Sequence, residues 1–567
     1  MDRKAEKALK VYQSCVAQFS RVSKKVVARR DLNNLYNVSC RMMRDAEYKA
    51  LLSEIPAVEG KSFEEQIEAF FEEYNNLYGL EIRDSLTEFE DPEFAAGSYF
   101  KLKSYLKSEE GELTELAPTD FKKGQTAYVT ASLFSHESGA PVIAKELLLT
   151  AINDEGVKAE KRAENTSSIN FEMTLSVAGY FKFNVKALGE DGEEILGSEM
   201  ACGGIVFSRE EIKSLHEPPA DLYDFWSAEI SRLMKTNPCD ETPDGYSGEV
   251  ETLYDIHNRN KFSLTKLDSA YLQKLRENGQ PAPSEEELLK YGIYELVLKC
   301  PGPCPSTGYV SVPKCAPDKS LPIFISYDGY SVRSPAPIMK EDSIAVHCSH
   351  HGYELGHADS PYYAELRGTV CGNYCRGNGE INSHFCNIRD CYPLYIMLRD
   401  LQMIRYLADK ELSSGIEDLH RVWNGEIVLW GSSMGGYQSL SVGGLMSILK
   451  KYTFVGDKLT ISAGSPAFAD VAAGLGSRVR SSMFTYSDGA DYFDTAILSA
   501  FIDSKTHIFR ASLGDDICTA TSMSAIYNMI PDSVEKEIRF VQNSSHGYLP
   551  DEEHQEWFVY NNKETLK

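Results

Sequence analysis

The chain has 567 residues, 42% hydrophobic and 25% charged, with a formal net charge of -26. Its length favours about two to four soluble globular domains. The acidic balance excludes nucleic acid as the main partner, since phosphate binding needs a basic face, and it excludes attraction to an anionic membrane.

Other exclusions follow from the pattern. No apolar stretch approaches the roughly 18–20 residues of a membrane span. The opening Met1-Asp-Arg-Lys-Ala-Glu-Lys7 lacks the apolar core of a signal peptide. Thirteen cysteines, an odd number without a framework, read as the reduced thiols of a cytoplasmic protein.

Residues 1 to about 110 show helical periodicity, as in Ala5, Leu9, Tyr12, Val16 and Phe19, and again in Ile67, Phe70, Phe71 and Tyr74. The basic run Arg21 to Arg30 reads as a solvated helix face in preference to a partner- or nucleic-acid-binding patch. From about 111 to 207 the period changes. Strand-length segments at 126–134, 145–152, 169–175 and 180–186 are separated by turns such as Asn153-Asp-Glu-Gly156. This predicts a small immunoglobulin-like β-sandwich without its disulfide, because only Cys202 falls in the span. A spacer or cover is its plainest role, and a carbohydrate-binding role is the alternative.

Residues 208–567 alternate strand and helix signals, which predicts an α/β domain with a mostly parallel sheet and helices on both faces. The candidate strands are 321–327, 342–348, 426–430, 458–463, 506–511 and 535–541, with helical runs at 392–407 and 434–449. Cys371, Cys375, Cys386 and Cys391, near His347, His350, His351, His357 and His384, offer zinc-type ligands. Their spacing matches no tight structural-zinc pattern, so a thiol- and imidazole-rich loop is the plainer reading and no metal is expected.

The chemistry concentrates at Gly431-Ser-Ser-Met-Gly435, a G-x-S-x-G pattern where an apolar strand meets a helix. Gly431 and Gly435 permit a tight elbow that lifts the Ser433 hydroxyl above the sheet edge. Ser432 is a rival, but Ser433 holds the middle position. After the strand at 506–511 comes Ser512-Leu-Gly-Asp-Asp516, and after the next strand comes His546. Serine, then acid, then histidine is the α/β-hydrolase order. Asp515 is preferred as the acid, with Asp516 as the alternative. The oxyanion donors are expected to be the backbone N–H of Met434 and of Tyr330, the latter in the Asp328-Gly-Tyr330 loop.

From about residue 217 to 548 the chain resembles the acetyl xylan esterase/cephalosporin C deacetylase family of α/β-hydrolases (carbohydrate esterase family 7). The landmarks are Pro219-Ala-Asp-Leu-Tyr-Asp-Phe-Trp226, Tyr309-Val-Ser-Val-Pro313 before the Asp-Gly-Tyr loop, the helix with Asp400, Tyr492-Phe-Asp494, Ser512-Leu-Gly-Asp515 with Cys518, and Ala525-Ile-Tyr-Asn528. The resemblance implies Ser433, Asp515 and His546 as a triad, Tyr330 and Met434 as oxyanion donors, and removal of acetyl groups from sugar hydroxyls.

Departures accompany it. Met434 replaces the family's Gln, Asp328 replaces the His of its His-Gly-Tyr, and Thr519-Ala520 replaces its Pro-Pro pair. Ser349 to Glu354 occupies the place of its Arg-Gly-Gln-Gly stretch, at the expected mouth of the site. With about 210 unmatched N-terminal residues, a homo-oligomer is left open and the family's ring-shaped hexamer is not assumed.

The expected substrate is an acetylated oligosaccharide or another small acetyl ester, and the chemistry requires no cofactor. A carboxylesterase or oligopeptidase on the same fold is the alternative. An oligopeptidase usually carries a propeller, for which residues 111–207 are too few. A non-catalytic binding protein is the third reading.

Overall fold

The computed structural model describes residues 98–136, 138–189, 192, 194, 201–241, 261–277, 282–302, 304–330, 332, 335–349, 351–353, 355, 388–389, 391–467, 479, 488–550 and 552–563. The helical periodicity expected before residue 98 lies outside them.

The first strands are Ser98–Lys107 (β1), Leu113–Glu115 (β2), Thr126–Ser135 (β3), Ala144–Asn153 (β4), Lys158–Thr166 (β5), Ser168–Thr174 (β6), Gly179–Leu188 (β7) and Ala201–Phe207 (β8). They form two four-stranded sheets, ordered β2-β1-β3-β6 and β5-β4-β7-β8, with antiparallel pairing throughout. One apolar cluster joins them: Phe100, Val129 and Ala131 from the first meet Leu147, Leu149, Phe183 and Val185 from the second. The helical region was expected to run to about 110. It does not, because β1 begins at Ser98, with Ser98, Phe100, Leu102 turned inward and Lys101 outward at the strand period of two.

The second unit contains Ser263–Lys266 (β9), Tyr291–Leu298 (β10), Ser306–Pro313 (β11), Leu321–Tyr327 (β12), Ile344–Cys348 (β13), Trp423–Ser432 (β14), Lys458–Gly464 (β15), Lys505–Ser512 (β16), Lys536–Val541 (β17) and Trp557–Asn561 (β18). The sheet order is β18-β17-β16-β15-β14-β12-β13-β11-β10-β9. The six strands from β17 to β13 pair in parallel, while β18 and the β11-β10-β9 edge are antiparallel. The parallel core is made of Ile323, Ile325, Ile427, Leu429, Ile461 and Ile508, all buried.

Its long helices are Leu222–Lys235 (α1), Tyr392–Ala408 (α2) and Met434–Leu449 (α3), followed by the short Thr495–Ser499 (α4) and Ala520–Met529 (α5). α3 lies on β12, β14 and β15 and is enclosed by α1, α2 and α4, which explains why it is apolar all round. A Cβ on Gly443 would approach the Ile461 side chain to 2.3 Å, so that small residue sets the helix–sheet distance.

Helices were expected on both faces of the sheet. Among the described residues, α1 to α5 form one connected layer on the Ile461 face, and the short helix Ser269–Glu277 meets that expectation on the opposite face, where its Leu272 and Leu275 pack against Ile293 and Tyr309. The alternate positions put Phe324, Trp430 and Phe509 on the other face, where Trp430 stacks on Phe509 at 5.8 Å. Among the described residues no helix is long and apolar enough to cross a membrane.

Candidate active site

β14 ends at Ser432, and Ser433 caps the N-terminus of α3 with φ 58° and ψ -116°. A positive φ is strained for serine, and its neighbours leave it no alternative. The Ser433 N–H donates to the Gly464 carbonyl at 2.8 Å, and its own carbonyl accepts from the amides of Tyr437 and Ala467, each at 3.0 Å. A Cβ on Gly431 would meet the Gly435 backbone at 2.5 Å, and one on Gly435 would meet the Tyr327 carbonyl oxygen at 2.2 Å. Both positions must be glycine for the turn to close.

The acid follows β16. Asp515 is fully buried, its Oδ1 accepts from the amides of Ile517 and Cys518 at 2.8 Å each, and its Oδ2 lies 2.9 Å from Nδ1 of His546. The other imidazole nitrogen, Nε2, lies 3.0 Å from Oγ of Ser433. With Nδ1–H donated to the carboxylate, Nε2 is left to accept the serine proton. Burial works to lower the His546 pKa, but the hydrogen bond and charge of Asp515 outweigh it and the net direction is up. Asp516 points elsewhere, to Nζ of Lys182 at 3.2 Å. Ser432 stays in the β14 ladder opposite Gly464.

The histidine loop is anchored by Arg510, whose Nη2 donates to the carbonyls of Ser545 (2.7 Å), Tyr548 (3.2 Å) and His546 (3.3 Å). Sequence reading passed over Arg510; a cation near the carboxyl end of a late strand, five residues before Asp515, was the available signal.

Met434 opens α3, where an amide has no acceptor within the helix. Tyr330 follows β12 in the loop packed against the elbow, as the closeness of Gly435 to Tyr327 and Asp328 requires. Two histidines brace that loop. His351, buried, reaches the Tyr330 carbonyl through Nε2 at 2.8 Å and the Tyr392 hydroxyl through Nδ1 at 2.5 Å. A carbonyl only accepts, so Nε2 carries the proton. His347 donates from Nδ1 to the Ala336 carbonyl at 2.6 Å and sets Nε2 2.7 Å from Oδ2 of Asp328. That last contact is a close approach without hydrogen-bond alignment.

The segment Ser349 to Glu354 therefore contributes a buried brace through His351. In the thiol- and imidazole-rich stretch, His347 and His351 hold the loop, and Cys391 bonds the Ile388 carbonyl. His350, His357, Cys371, Cys375, His384 and Cys386 lie outside the described residues. Among the described residues, two other groups bring ligand atoms within 4.8 Å: Asp515, Cys518 and His546, and, away from the elbow, His136, Glu553 and His554. The first is already accounted for by hydrogen bonds.

No protein-family model matches the chain, and no curated protein matches it by sequence. Among solved structures, the acetyl xylan esterase from Paenibacillus sp. R4 is similar at 16% identity over 61% of this chain and 95% of that one, with a TM-score of 0.40. Acetyl xylan esterase 1 from Thermoanaerobacterium sp. JW/SL YS485 is similar at 15% identity over 60% and 93%, with a TM-score of 0.41. The carboxylesterase Cest-2923 from Lactobacillus plantarum WCFS1 is similar at 16% identity over 45% and 84%, with a TM-score of 0.28. Likenesses this remote carry no argument about activity, which has to come from the site itself.

Proposed function

We propose that the chain is a serine carboxylic-ester hydrolase of α/β-hydrolase fold that removes acetyl groups from carbohydrate esters. One observation carries the reading. His546 bridges the hydroxyl of Ser433 at 3.0 Å and the carboxylate of Asp515 at 2.9 Å, at the ends of three parallel-strand units in the order serine, acid, base. The strained φ of Ser433 supports it, because such strain is kept where it serves chemistry.

In this mechanism Nε2 of His546 takes the Ser433 proton as Oγ attacks the ester carbonyl. The amides of Met434 and Tyr330 stabilise the oxyanion, a donor pair whose single members are typically worth about 10²–10³ in rate. The imidazolium then protonates the leaving alcohol. Water attacks the acyl-enzyme by the same route in reverse, releasing the acid. Asp515 holds the imidazole tautomer throughout and stabilises its charge. None of these steps requires a metal or an organic cofactor.

The choice of acetylated oligosaccharide or another small acetyl ester as substrate rests on the motifs shared with the deacetylase family. The test is hydrolysis of p-nitrophenyl acetate, followed by acetate release from acetylated xylo-oligosaccharides. Ser433→Ala is expected to abolish both without loss of fold, and retained hydrolysis would remove the nucleophile. Faster turnover of butyryl or peptide substrates than of acetyl ones would shift the reading to a carboxylesterase or oligopeptidase.

A further inference from the structure

The β7–β8 edge of the N-terminal sheet pair lies directly behind the two loops that carry Asp515 and His546. On β7, the fully buried Tyr180 donates its hydroxyl to the Leu513 carbonyl, and Lys182 pairs with Asp516. The Tyr180 amide and the Thr521 hydroxyl both donate to Oδ2 of Asp154, at 2.8 and 2.7 Å. On β8, the backbone of Gly204 pairs both ways with the Gln542 side chain, its N–H to Oε1 at 3.1 Å and its carbonyl from Nε2 at 3.2 Å. Asn543 accepts from the Cys202 amide at 3.3 Å and donates to the Phe100 carbonyl at 3.0 Å. The fit leaves no slack. A Cβ on Gly204 would meet the Leu513 oxygen at 2.5 Å, and one on Gly514 would meet the Cys202 backbone at 2.8 Å.

We propose that this edge belongs to the catalytic apparatus, with Tyr180 and Lys182 as positioning residues for the Asp515 loop while the Cys202 and Gly204 backbone holds the loop that leads to His546, both in register with Ser433. The proposal rests on the serine-hydrolase reading. A reacting group displaced by about 1 Å loses about 10² in rate, so bonds to these two loops act on turnover even though they touch no substrate.

The charges facing His546 are Asp515 and Asp516 from the acid loop and Arg510 from β16, with the Cys518 thiol beside them and Lys182 behind Asp516. Asp516 raises the His546 pKa and Arg510 lowers it. Lys182 offsets part of the charge of Asp516, so removing it strengthens the pull of that carboxylate on the imidazole and keeps the imidazole protonated to higher pH.

The test uses the full chain and two readouts across pH: kcat and KM for p-nitrophenyl acetate, and the rate of Ser433 labelling by a fluorophosphonate. Lys182→Met is expected to lower kcat about tenfold with little change in KM. Its acid limb should move up by about half a pH unit, and Lys182→Arg should restore both. Tyr180→Phe should lower kcat by a similar factor. Lys158→Met, exposed on β5, should change nothing.

Variants that lose thermal stability but keep the wild-type kcat and acid limb would overturn the proposal, leaving a purely structural contact. If Tyr180→Phe fails to fold, Lys182→Met at the rim of the contact decides alone. A labelled, active wild type with unmoved variants removes only this inference. A wild type that neither labels nor hydrolyses removes the serine-hydrolase reading and this one together.

Discussion

Asp515 and Asp516 are neighbours in sequence with the same side chain, yet their surroundings separate them completely. Asp515 is enclosed, with two amides on one oxygen and the imidazole on the other; Asp516 is half exposed and faces a lysine. Asp515→Asn keeps the shape but offers Nδ1 a donor in place of an acceptor, favouring the wrong tautomer. A loss of about 10³–10⁴ in kcat is expected, whereas Asp516→Asn should cost far less. Steady-state kinetics on the two variants checks this. The pH dependence follows from His546, whose raised pKa keeps it protonated to a higher pH than a free imidazole. In its proposed role of general base it must be neutral, so activity is expected to fall as pH drops through that raised value. Asp515→Ala should move the acid limb downward, because the carboxylate is what raises the pKa.

At the scale of elements, the parallel strands were the legible part. Apolar runs bounded by turn residues gave β12 to β17 to within a few residues, because strands buried on the helix side cannot carry charge there. The elbow, acid and histidine were legible for the same reason: each sits where such a strand stops. What sequence hid was half-polar. In β1 Lys101 and Lys103, on either side of Leu102, obscure the alternation, and β5, Lys-Ala-Glu-Lys-Arg-Ala-Glu-Asn-Thr, is an edge strand with almost nothing to bury. The braces were hidden as well, since contacts such as that of His351 with Tyr330 depend on how loops meet in space. His351→Ala removes the bond to the Tyr330 carbonyl and frees the adjoining amide to turn from the oxyanion. A fall in kcat of about 10-fold or more is expected with KM nearly unchanged, and restoration of part of the rate by His351→Asn would mark it as positioning.

For the whole molecule, one buried and one partly buried carboxyl tie stability to pH. Burial pushes Asp400 on α2 up to about 7, against a partial opposing effect of the Gln438 hydrogen bond at 2.8 Å, and burial likewise pushes Glu295 on β10 up to about 7. Both are raised above their unfolded values, so each contributes stability that is complete below about pH 4 and is lost as pH rises through about 7. The melting temperature of Asp400→Asn should therefore fall less than that of wild type between about pH 4 and 8, with an amide still able to meet Gln438. Thermal melts across that range give the answer, and identical slopes would place the pH sensitivity elsewhere.

The grip of β7 and β8 on residues 513–543 also dictates an order of events during synthesis. Those partners lie more than 330 residues apart in the chain. The sheet pair is local in sequence and can fold as it leaves the ribosome, while its Gly204 edge waits for a loop not yet made. The elbow at Ser433 emerges next, without acid or base. Until the polypeptide through His546 has been translated and has closed onto that waiting edge, the nascent chain holds the Ser433 hydroxyl with neither the imidazole nor the carboxylate within reach.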